Sequence, residues 1–315
     1  MATIVAAGAL SHSPVINFPQ PDDEAGAIDR FRASARRLGE RIRAAKPDVL
    51  IIIGQDHFRT LFYDLMPPFV IGTGRVEAWG DWKTAKGQVN SIPALGRHLH
   101  RGLLGAEFDV ACSYDLLVDH GIMEALLLTD CPRTTPIVPV IINSGAPPMP
   151  LPYRCYKFGK ALGEAVASFP EPLRVAVIGS GGLSHSPPSA DVESQNPADT
   201  ATVDKLIHGR PHTLRDEPVR EEHLLAAVRA GKFRGSIRSD WDHQVLNHLI
   251  NGEAELLGRN LDQAAIDRDG GYGGNEIRTW LAVAGACQGR KAELLGYEPI
   301  ECLITGMGVI SIGCV

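Results

Sequence analysis

The heptapeptide Gly-x-Leu-Ser-His-Ser-Pro occurs twice, as Gly8-Ala9-Leu10-Ser11-His12-Ser13-Pro14 and as Gly181-Gly182-Leu183-Ser184-His185-Ser186-Pro187. An imidazole, with an ordinary pKa of about 6.5, can bind a metal or move a proton near neutral pH, so each copy carries a candidate reactive group. Three more residues of this kind stand at similar junctions. His57 lies in Gly54-Gln55-Asp56-His57-Phe58, just past a β-branched run, and His120 lies in Val118-Asp119-His120-Gly121, just before a helical stretch. Glu276 follows the glycine cluster Gly270-Gly271-Tyr272-Gly273-Gly274 and opens an amphipathic helix, where the positive end of the dipole favours a carboxylate. His12, His57 and Glu276 together supply two imidazoles and one carboxylate, the donor set that holds Fe(II) and leaves coordination positions open. His120 and His185 then remain for proton transfer.

The elements that must position these groups follow from hydrophobic periodicity. Residues 2–10 and 173–178 read as buried strands, each leading into a copy of the heptapeptide. Residues 49–54 form a continuous apolar run of the kind buried on both sheet faces. With the helical spacing over residues 25–45, this makes a β-α-β unit. Helices are expected over 93–105, 122–128, 156–168, 221–230, 244–257 and 276–287, and strands over 135–142 and 302–312. The fold class is therefore α/β, one large domain over residues 1–315 with a mainly parallel or mixed central sheet flanked by helices. Open sheets of this type bind ligands at the carboxyl ends of their strands, which gathers the histidines in one cleft. The more polar stretch 187–260 reads as a helical and loop insertion over that cleft.

Composition narrows the function classes. At 315 residues and 44% hydrophobic content the chain can bury a sizeable core, and a net charge of -6 without a Lys/Arg-rich run gives no footprint for nucleic acid or an anionic membrane surface. The apolar N-terminal stretch lacks a basic region, so a first strand is expected there and not a signal peptide, and no transmembrane segment is expected. Six cysteines without a Cys-x-x-Cys spacing suit free thiols in a reducing cytoplasm.

Plainer readings compete with the chemical ones. A single strand-end histidine is more often a structural hydrogen-bonding residue than a ligand. Asp56 and Asp119 suit turns and caps. His120 and Glu124, four residues apart, share a helix face as a metal pair would, although a capped helix end suits them better. His98 and His100 read as surface residues, and His208, His212, His223, His243 and His248 as solvated faces. A zinc hydrolase or a non-catalytic metal-binding protein would use the same two imidazoles and carboxylate.

The ordered set Leu10-Ser11-His12-Ser13-Pro14, Asp56-His57-Phe58, Phe62-Tyr63-Asp64-Leu65-Met66-Pro67-Pro68-Phe69, Val118-Asp119-His120-Gly121, Gly179-Ser180-Gly181-Gly182-Leu183-Ser184-His185 and Glu276-Ile277-Arg278-Thr279-Trp280 resembles the class III extradiol ring-cleaving dioxygenases over nearly the whole chain. The resemblance implies an Fe(II) enzyme that uses O2 to open a catechol-type ring beside its hydroxyl pair. It implies His12, His57 and Glu276 as iron ligands, His185 as base, His120 as proton donor, and Asp119 orienting His120 or its neighbours. The segment from Phe62 to Phe69 is similar to the branch acting on 3-(2,3-dihydroxyphenyl)propionate, while the core motifs would equally serve protocatechuate, gallate, an aminophenol or a dihydroxypyridine. Arg59, Arg154 and Arg278 are the candidates to meet a substrate carboxylate. Relatives assemble, so a homo-oligomer is expected.

Overall fold

The apolar run at residues 49–54 is buried on both sides. Val49, Ile51 and Ile53 belong to one core layer and Leu50 and Ile52 to the other, and all five are inaccessible to solvent. Alternation of side chains across a strand forces this split. Burying each such side chain contributes about 1.5–3 kcal/mol, so a strand of this composition is stable only at the centre of a covered sheet.

The computed structural model describes residues 1–186, 191–211, 213–230 and 236–313; Pro187, His212 and Cys314 lie outside the described residues. In chain order the elements are β1 (Thr3–Leu10), α1 (Ala25–Ala44), β2 (Val49–Gly54), β3 (Phe69–Trp79), β4 (Lys86–Val89), α2 (Pro93–Gly105), β5 (Ala111–Val118), α3 (His120–Leu128), β6 (Ile137–Ile142), α4 (Pro152–Ala167), β7 (Arg174–Ser180), α5 (Thr200–His208), α6 (Thr213–Arg229), α7 (Ser239–Asn251), α8 (Ala254–Asn260), α9 (Gln263–Asp269), α10 (Ile277–Ala286), β8 (Ala292–Ile300) and β9 (Thr305–Ile312). All nine strands join one mixed sheet in the order β4-β3-β6-β2-β7-β1-β9-β8, with β5 paired to β3. The central strands β6, β2, β7 and β1 are parallel, and β9 and β8 continue the sheet antiparallel. Helices α1 and α3 cover one face through Phe31, Leu38 and Ile122, and α2, α4 and α10 cover the other through Leu99, Phe158 and Trp280. The α/β class with a mixed sheet flanked by helices is what the periodicity implied.

Strands β3, β4, β5 and β8 were not legible in the apolar pattern, and each has a reason. β3 is interrupted by Gly72, Gly74, Arg75 and Glu77 and shifts register between Gly72 and Arg75. β4 is only four residues long with Lys86 and Gln88 exposed, and β5 and β8 carry polar and charged residues, as suits strands bordering solvent. The helix expected over 244–257 is two helices, because Gly252 takes a left-handed φ of 78° that ends α7. The polar stretch 187–260 divides likewise. α5 buries none of its side chains, whereas α7 and α8 send Trp241, Leu246 and Leu257 into the core. Cys112, Cys131, Cys155 and Cys302 are free thiols, and among the described residues no helix is long and apolar enough to cross a membrane.

Candidate functional site

Loops leaving β1, β2 and β7 converge on one carboxylate. His12 stands two residues past β1, His57 three past β2 and His185 five past β7, while Glu276 closes a 3-10 turn (Tyr272–Glu276) that runs into α10. Asp119 caps α3 by accepting from the Gly121 amide at 2.9 Å, and His120 is the first residue of that helix. His12, His120, His185, Asp119 and Glu276 are buried, and the His57 side chain is the most open of the group at 21% exposure.

Each imidazole is held at Nδ1. That atom lies 3.0 Å from Ser180 Oγ in His12, 2.9 Å from Asp119 Oδ2 in His57, 2.6 Å from Asp81 Oδ2 in His120 and 2.9 Å from the Leu183 carbonyl in His185. Nε2 is thereby left for the centre of the cluster. The Nε2 atoms of His12, His57 and His185 lie 4.0, 3.8 and 3.6 Å from Glu276 carboxylate oxygens. The His120 ring stacks on His57, with centroids 4.0 Å apart and planes 24° from parallel.

Electrostatics sort these groups. Burial pushes the His12 imidazole down to about 4, which keeps it neutral with a lone pair to give. Burial also raises Glu276, but His185, His57 and His12 outweigh it and hold the carboxyl well below its usual range. His57 is lowered by burial and raised further by Asp119 and Glu276, to about 10. His185 follows the same balance, raised above its ordinary value because Glu276 overcomes burial.

A neutral imidazole, a second imidazole and an ionised carboxylate are a suitable donor set for a divalent metal. Two donors at about 2.0–2.1 Å from one ion cannot lie more than about 4.2 Å apart, and the 4.0 and 3.8 Å separations of His12 and His57 from Glu276 fall within that limit. The residues present therefore fit a metal ion. A looser grouping, within 4.8 Å, joins His120 to His12 and His57, and another joins Asp81, Asp119 and His120.

Other candidates are placed elsewhere. Asp56 accepts from the amides of Arg59, Thr60 and Leu61 and closes a turn. Glu124 is fully buried, takes a hydrogen bond from Asn17 Nδ2 at 3.1 Å, and does not pair with His120. His98, His100 and His248 bond to Ala165 O, Val110 O and Glu253 Oε2, and His243 packs on Tyr297, all outside the cluster; His208 and His223 are exposed. Arg278 is buried and donates to Pro150 O, Asn275 and Gln263, bracing the turn before Glu276. Arg154 lies over the Phe108 ring. Arg59 reaches His57 O at 2.8 Å and Asp81 at 3.6 Å.

Two site residues were missed in the sequence. Gln55 donates to Glu276 Oε1 at 2.5 Å, sits 2.7 Å from His57 Nε2, and accepts from Ser144 Oγ; its place directly after the strongest strand was the available signal. Asp81 had none, since β3 before it was not recognised. The glycine cluster, by contrast, has a positional reason. A Cβ on Gly273 would stand 2.1 Å from His185 Nε2, so only glycine lets that turn close over the ring.

The family model described as the catalytic LigB subunit of aromatic ring-opening dioxygenase matches residues 6–308. A protein of Paraburkholderia xenovorans named 2,3-dihydroxyphenylpropionate/2,3-dihydroxicinnamic acid 1,2-dioxygenase is 37% identical, over 96% of this chain and 95% of its own. Proteins of the same name from Cupriavidus pinatubonensis and Mycobacterium ulcerans are 36% and 33% identical, over 88% and 95% of this chain and 87% and 96% of their own. The fold is shared with an uncharacterized protein from Escherichia coli K12, at a TM-score of 0.51 and 18% identity, over 98% of this chain and 100% of that one. The chain belongs to the LigB family of aromatic ring-opening dioxygenases, metal-dependent enzymes of the extradiol class that open a catechol-type diol with O2.

Proposed function

We propose that His12, His57 and Glu276 hold Fe(II), that His185 is the base and His120 the proton donor of ring opening, and that Asp119 holds His57 in place. The observation that carries this reading is the approach of three imidazole Nε2 atoms, each committed at Nδ1, to within 4.0 Å of one buried, ionised carboxylate; the resemblance to the family supports giving His12 and His57 to the metal and His185 to the proton. Such Nδ1 partners are the usual supports of metal-binding histidines. When bound, the ion supplies a centre that draws both catechol oxygens and dioxygen together and lets electrons pass from ring to oxygen.

The protein's own groups do the rest. His185 Nε2, 3.6 Å from Glu276, takes a proton from the catechol hydroxyl as the substrate docks. Burial, with His57 beside it, holds His120 well below its ordinary pKa, so its Nε2 first takes up a proton and then passes it to the oxygen that leaves as the ring opens. Asp119 accepts from both the backbone amide of His57, at 2.8 Å, and its Nδ1, at 2.9 Å, so it fixes the ring in one orientation.

The substrate is 3-(2,3-dihydroxyphenyl)propionate or a related substituted catechol, supported by the names of relatives that align with nearly all of the chain. Residues 1–315 act as one catalytic domain, with the polar part of 187–260 beside the cleft, and the chain works as a homo-oligomer. The test is anaerobic loading with Fe(II), then oxygen uptake and appearance of the coloured ring-opened product across catechols, aminophenols and dihydroxypyridines. Fastest turnover of 3-(2,3-dihydroxyphenyl)propionate supports the substrate, and a tenfold preference for another diol refutes it.

A further inference from the structure

The short loop after β3 does something unusual for its length. Gly80, Trp82 and Lys83 all take left-handed backbone angles, with φ of 80°, 52° and 62°, and the residue they enclose is Asp81. Left-handed geometry is unfavourable for tryptophan and lysine, and such strain persists where surrounding structure imposes it. Asp81 is buried, and its side chain has no exposed surface. The shortest contacts of both its oxygens go to one residue, with Thr84 Oγ1 at 3.5 Å from Oδ1 and Arg59 Nε at 3.6 Å from Oδ2 farther off. Oδ1 accepts from the backbone amide of His120 at 2.9 Å, and Oδ2 lies 2.6 Å from His120 Nδ1.

This grip repeats, on a second imidazole, the one that Asp119 has on His57, where one carboxylate meets both the backbone amide and Nδ1 of the same histidine. Asp119 is 3.8 Å from His120 Nδ1, too far to do both jobs. We infer that Asp81 is the positioning residue of His120: it keeps the proton on Nδ1, fixes the ring against His57, and presents Nε2 alone to the substrate. The loop strain is the structural consequence of delivering a carboxylate to the outer edge of that ring. Proton transfer then runs through one atom, Nε2, which takes up a proton to give the imidazolium and releases that same proton to the leaving oxygen, while the Nδ1 proton stays on the imidazole throughout. The inference rests on the proton-donor role proposed for His120.

Asparagine has the shape of aspartate but can present N–H to Nδ1, which favours the wrong tautomer. With the iron-loaded enzyme and its catechol substrate, Asp81→Asn should lower kcat about 10²–10⁴-fold, leaving KM and iron content close to those of the parent. Asp81→Glu, which retains an acceptor, should recover part of that loss. Because Asp81 acts through His120, the double variant Asp81→Asn/His120→Gln should be no slower than His120→Gln. Turnover of Asp81→Asn within threefold of the parent, or losses that multiply in the double variant, would overturn the inference. If the Asn variant does not fold, Asp81→Glu decides: more turnover than His120→Gln supports the clamp, and an equal loss overturns it. Parental turnover in His120→Gln would instead refute the role of His120 itself.

Discussion

The two copies of Gly-x-Leu-Ser-His-Ser-Pro are the same in sequence and different in phase. β1 and β7 run side by side with Leu10 opposite Ser180, so the first copy begins inside its strand while the second begins just beyond its own. His12 is thus two residues past a strand end and His185 five. Both copies fasten to the same strand, β9: Ser11 Oγ donates to Gly306 O, and the Gly306 amide donates to Ser184 O. The three-residue difference in phase changes what each imidazole meets at Nδ1, a serine hydroxyl for His12 and the carbonyl of Leu183 for His185. It also changes the first serine: Ser11 Oγ donates to Gly306 O and accepts from the Gly308 amide, whereas Ser184 donates to the buried carboxylate of Asp242 through both amide and hydroxyl. A shared motif therefore sets a local turn, and the strand end from which it is counted sets which partner each imidazole meets.

The largest effect that separates the copies is catalytic. His185→Gln should reduce turnover about 10²–10⁴-fold with little change in KM, while His12→Ala should abolish it. Steady-state oxygen uptake checks both, and equal partial losses would break the distinction. Next come two glycines. Gly273→Ala places a methyl against His185 and should lower turnover at least tenfold, at the scale of a displaced general base, with the melting temperature little changed. Gly8→Ala, whose Cβ would lie 2.5 Å from both Ile310 O and Leu38 Cδ1, should instead destabilise the fold by about 1–3 kcal/mol in urea titration.

Smaller again is Ser180→Ala, which removes the Nδ1 partner of His12 and should weaken iron binding about 10–100-fold, while leaving His185 untouched. Loss of turnover at saturating iron would contradict it. The last effect is one of pH. His12 lies at about 4 and is already neutral, whereas Asp119 and Glu276 hold His57 at about 10 against burial, so a bound ion must displace a proton from His57. Iron affinity should rise with pH through the neutral range, by about tenfold per unit if one proton is released, and a flat profile would sink this assignment.

Much of this was readable in the sequence because the central strands are buried on both faces and announce themselves as apolar runs. The strand ends then located His12, His57 and His185, and the amphipathic helix after the glycines located Glu276. Asp119 was readable as a cap, and its second contact, to His57, needed the three-dimensional fold. Asp81 and Gln55 were not found because a carboxylate or amide in a loop has no periodicity of its own. Asp81 also follows a strand whose glycines, arginine and glutamate hide it. The arginines considered for a substrate carboxylate show the same limit, since Arg278 looks available in sequence and is fully occupied with the backbone and polar groups around Glu276.

The central claim is that phase sends His12 to the metal and leaves His185 for protons. Iron per chain, measured after anaerobic Fe(II) loading and desalting of the parent, His12→Ala and His185→Gln, tests it most directly. The account predicts near-stoichiometric iron in the parent and in His185→Gln and almost none in His12→Ala; iron lost equally from both variants, or retained by both, would contradict it.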